Sequence, residues 1–130
     1  MPVVRIEIYK GFSEEYKKAI LTGVHEALVF SFKIPEDYRN QILYEHYETN
    51  FQRSVKKTKQ FTIVEVTAFK GRTREAKREL YTRIIQNLKM NPGIEPSDIL
   101  ITINEPELVN WGVAGGKCAD EVDLGFKIDV

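Results

Sequence analysis

The stretch VVRIEIYKGFSEEYK at residues 3–17 recurs sixty positions later, diverged, as IVEVTAFKGRTREAK at residues 63–77. Val4 falls on Val64, Ile6 on Val66 and Ile8 on Ala68. Lys10-Gly11 falls on Lys70-Gly71, Ser13 on Thr73, Glu15 on Glu75 and Lys17 on Lys77. Further along, Ile20 meets Leu80 and Ile34 meets Ile94. One register held through an alternating run, a glycine turn and a helical stripe marks an internal duplication.

Each copy reads as strand, helix, strand. Val4, Ile6 and Ile8 alternate with Arg5 and Glu7, the period of a half-buried strand. Ser13 is a plausible N-cap, followed by Glu14 and Glu15 where the helix dipole favours negative charge. Tyr16, Ile20, Val24 and Leu28 then make the stripe of a helix over about residues 13–32, with Pro35 beyond its end. In the second copy, residues 61–69 form a strand, Thr73 caps, and Leu80, Ile84 and Leu88 line a helix ended by Asn91-Pro92-Gly93. Residues 98–104 form the last strand of the repeat.

A helical crossover within each half predicts parallel, right-handed pairs. The expected fold is therefore α+β: two tandem β-α-β units in a four-stranded sheet with both helices on one face. The bare face calls for a cover, and oligomerisation is the simplest one. The whole chain, 1–130, is read as a single domain, with halves at about 1–50 and 61–104 and a tail at 105–130. In that tail Val122, Leu124, Phe126, Ile128 and Val130 alternate with polar residues or glycine, which predicts a C-terminal strand available to a neighbouring subunit.

Composition narrows the class. Lys+Arg and Asp+Glu are both 19, so no net charge points to nucleic acid or to an acidic membrane. The strands also lack the paired stacking aromatics of an RNA-recognition domain. One cysteine, Cys118, excludes an internal disulfide and suits a reducing cytoplasm. No signal segment and no apolar run of spanning length is present, so a cytoplasmic protein is expected. No spacing of His, Cys, Asp or Glu suggests a metal site, and no cofactor is expected.

Pro2 carries the most direct chemical signal. An initiator Met before proline is usually removed, which would leave a secondary amine at the start of the first strand. A free α-amine has a pKa of about 7.7–8.0, and burial or a nearby cation lowers it further. Such a group suits general acid–base work near neutral pH. His25, beside the helix stripe, reads as a structural histidine, and His46, at the end of the second strand, has no evident partner. The basic run Arg53-Ser54-Val55-Lys56-Lys57-Thr58-Lys59 reads as a solvated junction loop.

A Met-Pro start on a strand, two β-α-β halves and a closing tail together resemble the tautomerase superfamily. The tail residues Asn104-Glu105-Pro106, Asn110-Trp111-Gly112, Gly115-Gly116-Lys117 and Glu121-Val122-Asp123-Leu124-Gly125-Phe126 resemble the group that includes malonate semialdehyde decarboxylase. Val24-His25-Glu26-Ala27-Leu28 and Gly71-Arg72-Thr73-Arg74-Glu75 are similar to it as well.

The resemblance implies a homotrimer acting on a small enol or 2-oxo carboxylic acid, with Pro2 as the catalytic amine. By the same resemblance Arg72 binds the substrate carboxylate, Lys70 replaces a second arginine without its bidentate fork, and Trp111 lines the pocket. Tyr38 stands where the decarboxylase has an aspartate after the Pro-x-x turn, with Asp37 one residue early. On a strand that shift would turn Asp37 to the opposite face. Tautomerisation is therefore the first expectation. The alternatives are a decarboxylase or hydratase of a 3-oxo acid on the same scaffold, and an inactive trimer that binds a ligand or a protein.

Overall fold

The computed structural model describes residues 2–130. Its elements run β1 (Val3–Tyr9), α1 (Glu14–Phe32), β2 (Asn40–His46), β3 (Thr62–Thr67), α2 (Arg74–Met90) and β4 (Ile99–Asn104), then a small hairpin, β5 (Gly112–Val113) with β6 (Lys117–Cys118). The main sheet has the order β2-β1-β3-β4. β1–β2 and β3–β4 are parallel, as helical crossovers require. The central pair β1–β3 is antiparallel, with Arg5 opposite Glu65 and Ile6 opposite Val64.

Both caps form as expected: the Tyr16 amide donates to Ser13 Oγ and the Ala76 amide to Thr73 Oγ1, each at 3.1 Å. The core lies between sheet and helices. Val4, Ile6, Ile8, Val64 and Val66 from the strands meet Ile20, Val24, Leu28, Leu80, Ile84 and Leu88 from the helices, all fully buried. The opposite face of the sheet carries exposed Ile42, Tyr44 and Leu100. Among the described residues, no helix is long and apolar enough to cross a membrane.

The tail corrects one expectation. Residues 122–130 do not form a strand. The alternation itself survives, since Val122, Leu124, Phe126, Ile128 and Val130 are half-buried while the residues between them are exposed. They are packed on their own chain instead of in a ladder. Asp123 Oδ1 accepts from the Gly125 amide at 2.9 Å, Gly125 turns at φ 81°, and the Thr73 amide donates to the Val130 carbonyl at 2.9 Å. A period of two reports which side chains face in, and an extended coil meets it as well as a strand does.

Candidate active site

The chain converges on one end of the sheet. Val3 lies opposite Asn40 of β2 and Thr67 of β3, so Pro2 stands where the 36–39 turn enters β2 and where β3 gives way to Ala68–Arg72. Pro2 is buried. Removal of Met1 concerns a residue outside the described ones. The turn is held from beneath by His25, whose Nε2 lies 2.7 Å from the Glu36 carbonyl and must therefore carry the proton. His25 is structural, as expected; His46, thought unpartnered, lies 2.5 Å from Glu7 Oε1 at the other end of β1.

A cavity of about 260 Å³ opens beside this end, lined by Asp37, Tyr38 and Asn40, by Phe69, and by tail residues including Leu124 and Phe126. Asp37 and Tyr38 share one wall. Both precede Asn40, the first residue of β2, so the strand alternation expected to separate them does not apply. Four aromatic rings run through the site. Trp111 packs edge-on against Phe69 at 4.7 Å, Phe69 lies 6.3 Å from Phe126, and Tyr38 meets Phe126 edge-on at 5.4 Å. Trp111 supports the wall from behind, its Nε1 donating to the Pro106 carbonyl at 3.2 Å.

Arg72 lies behind that wall. Only 5% of it is exposed. Its guanidinium carbon is 4.8 Å from the Phe32 ring centre and 5.7 Å from that of Phe126. Nη1 donates to the Phe69 carbonyl at 3.2 Å, while Nε and Nη2 are buried without a hydrogen-bond partner. Nε–H and Nη2–H form the side-on fork that fits a carboxylate. Burial pushes the Arg72 pKa down to about 10, opposed by the charge of Glu105, which is itself tied to Lys77 at 2.5 Å.

A buried cation with two idle donors costs several kcal/mol of desolvation. Such a cost is characteristic of sites waiting for an anion. Lys70 stands apart. Its side chain is 61% exposed and pairs with Glu107 at 2.7 Å, which raises its pKa.

The structure thus groups Tyr38, Trp111 and Arg72 through Phe69 and Phe126, puts Pro2 at the same sheet end, and leaves Lys70 outside the cavity wall. Sequence reasoning missed Phe69, Leu124 and Phe126. The alternation of the tail was the available signal for two of them. Separately, Cys118, Asp120 and Glu121 bring ligand atoms within 4.8 Å of one another, with both acids exposed. An exposed acidic trio is by itself no argument for a cation.

Comparisons with known proteins agree on this architecture. Two family descriptions, both reading "Tautomerase enzyme", match residues 38–114 and 2–59. The probable tautomerase YrdN of Bacillus subtilis (strain 168) is 27% identical over 122 residues, covering 90% of this chain and 94% of that protein. The probable tautomerase YusQ of the same organism is 23% identical, covering 90% and 96%. Among solved structures, FG41 malonate semialdehyde decarboxylase inhibited by 3-bromopropiolate is 28% identical, covering 94% of this chain and 98% of that one with a TM-score of 0.81. Native fused 4-OT, at 19% identity, 95% and 99% coverage and a TM-score of 0.82, shares the fold.

Proposed function

Because this chain belongs to the tautomerase family, we propose that it interconverts the enol and keto forms of a small carboxylic acid, with Pro2 as the proton carrier once Met1 is removed. The Pro2 nitrogen takes the proton from the enol hydroxyl and returns one to the adjacent carbon, so the reaction is an isomerisation with no net change in composition. A positioned acid–base group of this kind contributes about 10²–10⁴-fold. Arg72 pairs with the substrate carboxylate and steadies the negative charge of the enolate. Tyr38 and Trp111 shape the pocket. Lys70, held by Glu107, has no binding role in this scheme.

The observation that carries the reading is the idle Nε–Nη2 fork of Arg72, buried at the sheet end where Pro2 lies. Its test joins intact mass with kinetics. Untagged protein should lack Met1 and ketonise simple enol acids, and Pro2→Ala should lose at least 10²-fold in kcat/KM. Equal rates in the two proteins would remove Pro2 from the mechanism.

A second reading, hydration or decarboxylation of a 3-oxo acid, is favoured by Asp37, which lines the same cavity as Tyr38. Product analysis with a 3-oxo acid, comparing wild type with Asp37→Asn, separates the two. Assembly as a homotrimer is part of the proposal. It is supported by the exposed Ile42, Tyr44 and Leu100 on the open sheet face and by a fused 4-OT solved as a symmetric trimer. Light scattering at micromolar concentration decides it, and a monomer would overturn it.

A further inference from the structure

The charges around the cavity narrow the substrate. The ionisable groups lining it are Asp37, Tyr38 and Asp123, and no lysine or arginine is among them. The remaining wall is mostly apolar: Phe69, Val113, Ala114, Val122, Leu124 and Phe126. Arg72 lies behind Phe126, whose ring centre is 5.7 Å from its guanidinium carbon, is bonded to the Phe69 carbonyl, and still holds two unpartnered donors. Lys70 is engaged by Glu107 and lies outside the lining.

We infer that the substrate is a monocarboxylate with an apolar substituent, its carboxylate seated on the Nε–Nη2 fork of Arg72 and its substituent against Phe69, Leu124 and Phe126. This rests on the Pro2–Arg72 reading above. A planar fork takes one carboxylate through two parallel hydrogen bonds. A second carboxylate on the same molecule would face Asp37 and Asp123, where like charge opposes binding and no lysine or arginine of the lining offsets it. A bare three-carbon acid would leave the aromatic wall uncovered and forgo the burial of apolar surface. The volume suits such a ligand: about 260 Å³ lies just below the usual range for small-molecule sites. Phe126 must swing aside for the carboxylate to reach the fork, and the substituent then takes over the apolar contacts that the ring gives up.

Binding of unreactive acids tests this without relying on turnover. Calorimetric titration of the wild-type protein with 3-phenylpropionate, propionate and glutarate should place 3-phenylpropionate at least tenfold tighter than either of the others. Arg72→Met should weaken 3-phenylpropionate by at least tenfold, and Asp37→Asn should tighten glutarate while leaving 3-phenylpropionate within twofold. Glutarate or propionate equal to 3-phenylpropionate, or no binding of 3-phenylpropionate, would overturn the inference. Pro2→Ala separates the two levels of the argument. If that variant turns over enol acids as fast as wild type while the binding order holds, the proline reading fails and the ligand class stands. If it loses turnover while the binding order fails, the reverse is true.

Discussion

The two ends of the duplicated sheet have the same backbone plan and opposite chemistry. At one end the turn reads Lys70-Gly71-Arg72-Thr73, and at the other Lys10-Gly11-Phe12-Ser13. Where Arg72 is buried with idle donors, Phe12 stacks on Tyr16 at 4.0 Å and asks for no partner. Where Tyr38 faces a cavity, its counterpart Asp98 is buried and accepts from the Thr58 amide at 2.9 Å and the Thr58 hydroxyl at 2.5 Å. Where Pro2 can become a free amine, Thr62 has an amide nitrogen and donates its hydroxyl to the Gln60 carbonyl at 2.8 Å. One end pairs its buried polar groups, the other leaves two buried donors of Arg72 without a partner. Sites are found where a fold leaves polar groups unserved at a cost.

That contrast can be broken by substitution. The largest effect is expected at Arg72. Arg72→Met should reduce kcat/KM by about 10²-fold or more, as loss of a charge-assisted bidentate contact does, and yet stabilise the fold by about 1–3 kcal/mol, because an unpaired buried cation gives way to an apolar chain. The Arg72 pKa is lowered on folding to about 10. The unfolded chain therefore binds more protons only above that value, and the cost of the charge is fully present below it. The gain in thermal midpoint should accordingly be the same between about pH 6 and 9, and a gain that changes across that range would contradict the assignment.

At the Thr62 end the signs reverse. Asp98→Ala should destabilise by about 1–3 kcal/mol, since it removes the two hydrogen bonds that Thr58 donates to the buried carboxylate, and should leave KM and kcat of the folded enzyme unchanged. Urea melts alongside steady-state kinetics check both halves of this expectation.

The smallest and sharpest test compares two glycines, both at positive φ, +141° for Gly71 and +114° for Gly11. A Cβ on Gly11 meets nothing within 4 Å, whereas one on Gly71 would lie 3.0 Å from the Ile128 carbonyl oxygen. Gly11→Ala should cost only backbone strain, about 1 kcal/mol. Gly71→Ala adds the displacement of the tail, so it should also expose Phe126 and alter KM. Equal behaviour of the two variants would show that the tail is not seated on Gly71.

Most of the fold was legible because the duplication repeats its own evidence. Two glycine turns, two caps and two stripes agree, and local signals that agree across levels identify a fold well. Of the proposed site, the sequence singled out Pro2 and Arg72, residue types with few alternatives for the chemistry proposed. Lys70 carried the right charge, but its direction depends on Glu107, thirty-seven residues away. Asp37 was misplaced because the start of β2 lies at Asn40, and strand boundaries are the least readable feature of a sequence. Phe69 and Phe126 draw their meaning from contact with each other, which no spacing along the chain encodes.

The β1–β3 register has a consequence for how such a chain came to be. Residue Arg5 lies opposite Glu65, and Glu65 is its own counterpart under the sixty-residue shift. The pair therefore straddles the pseudo-twofold axis that relates the halves. Two separate copies of either half, meeting on that axis, would set arginine against arginine or glutamate against glutamate, and like charges directly opposite on a sheet repel. In a single chain the two positions are free to differ, and opposite charges stand there instead.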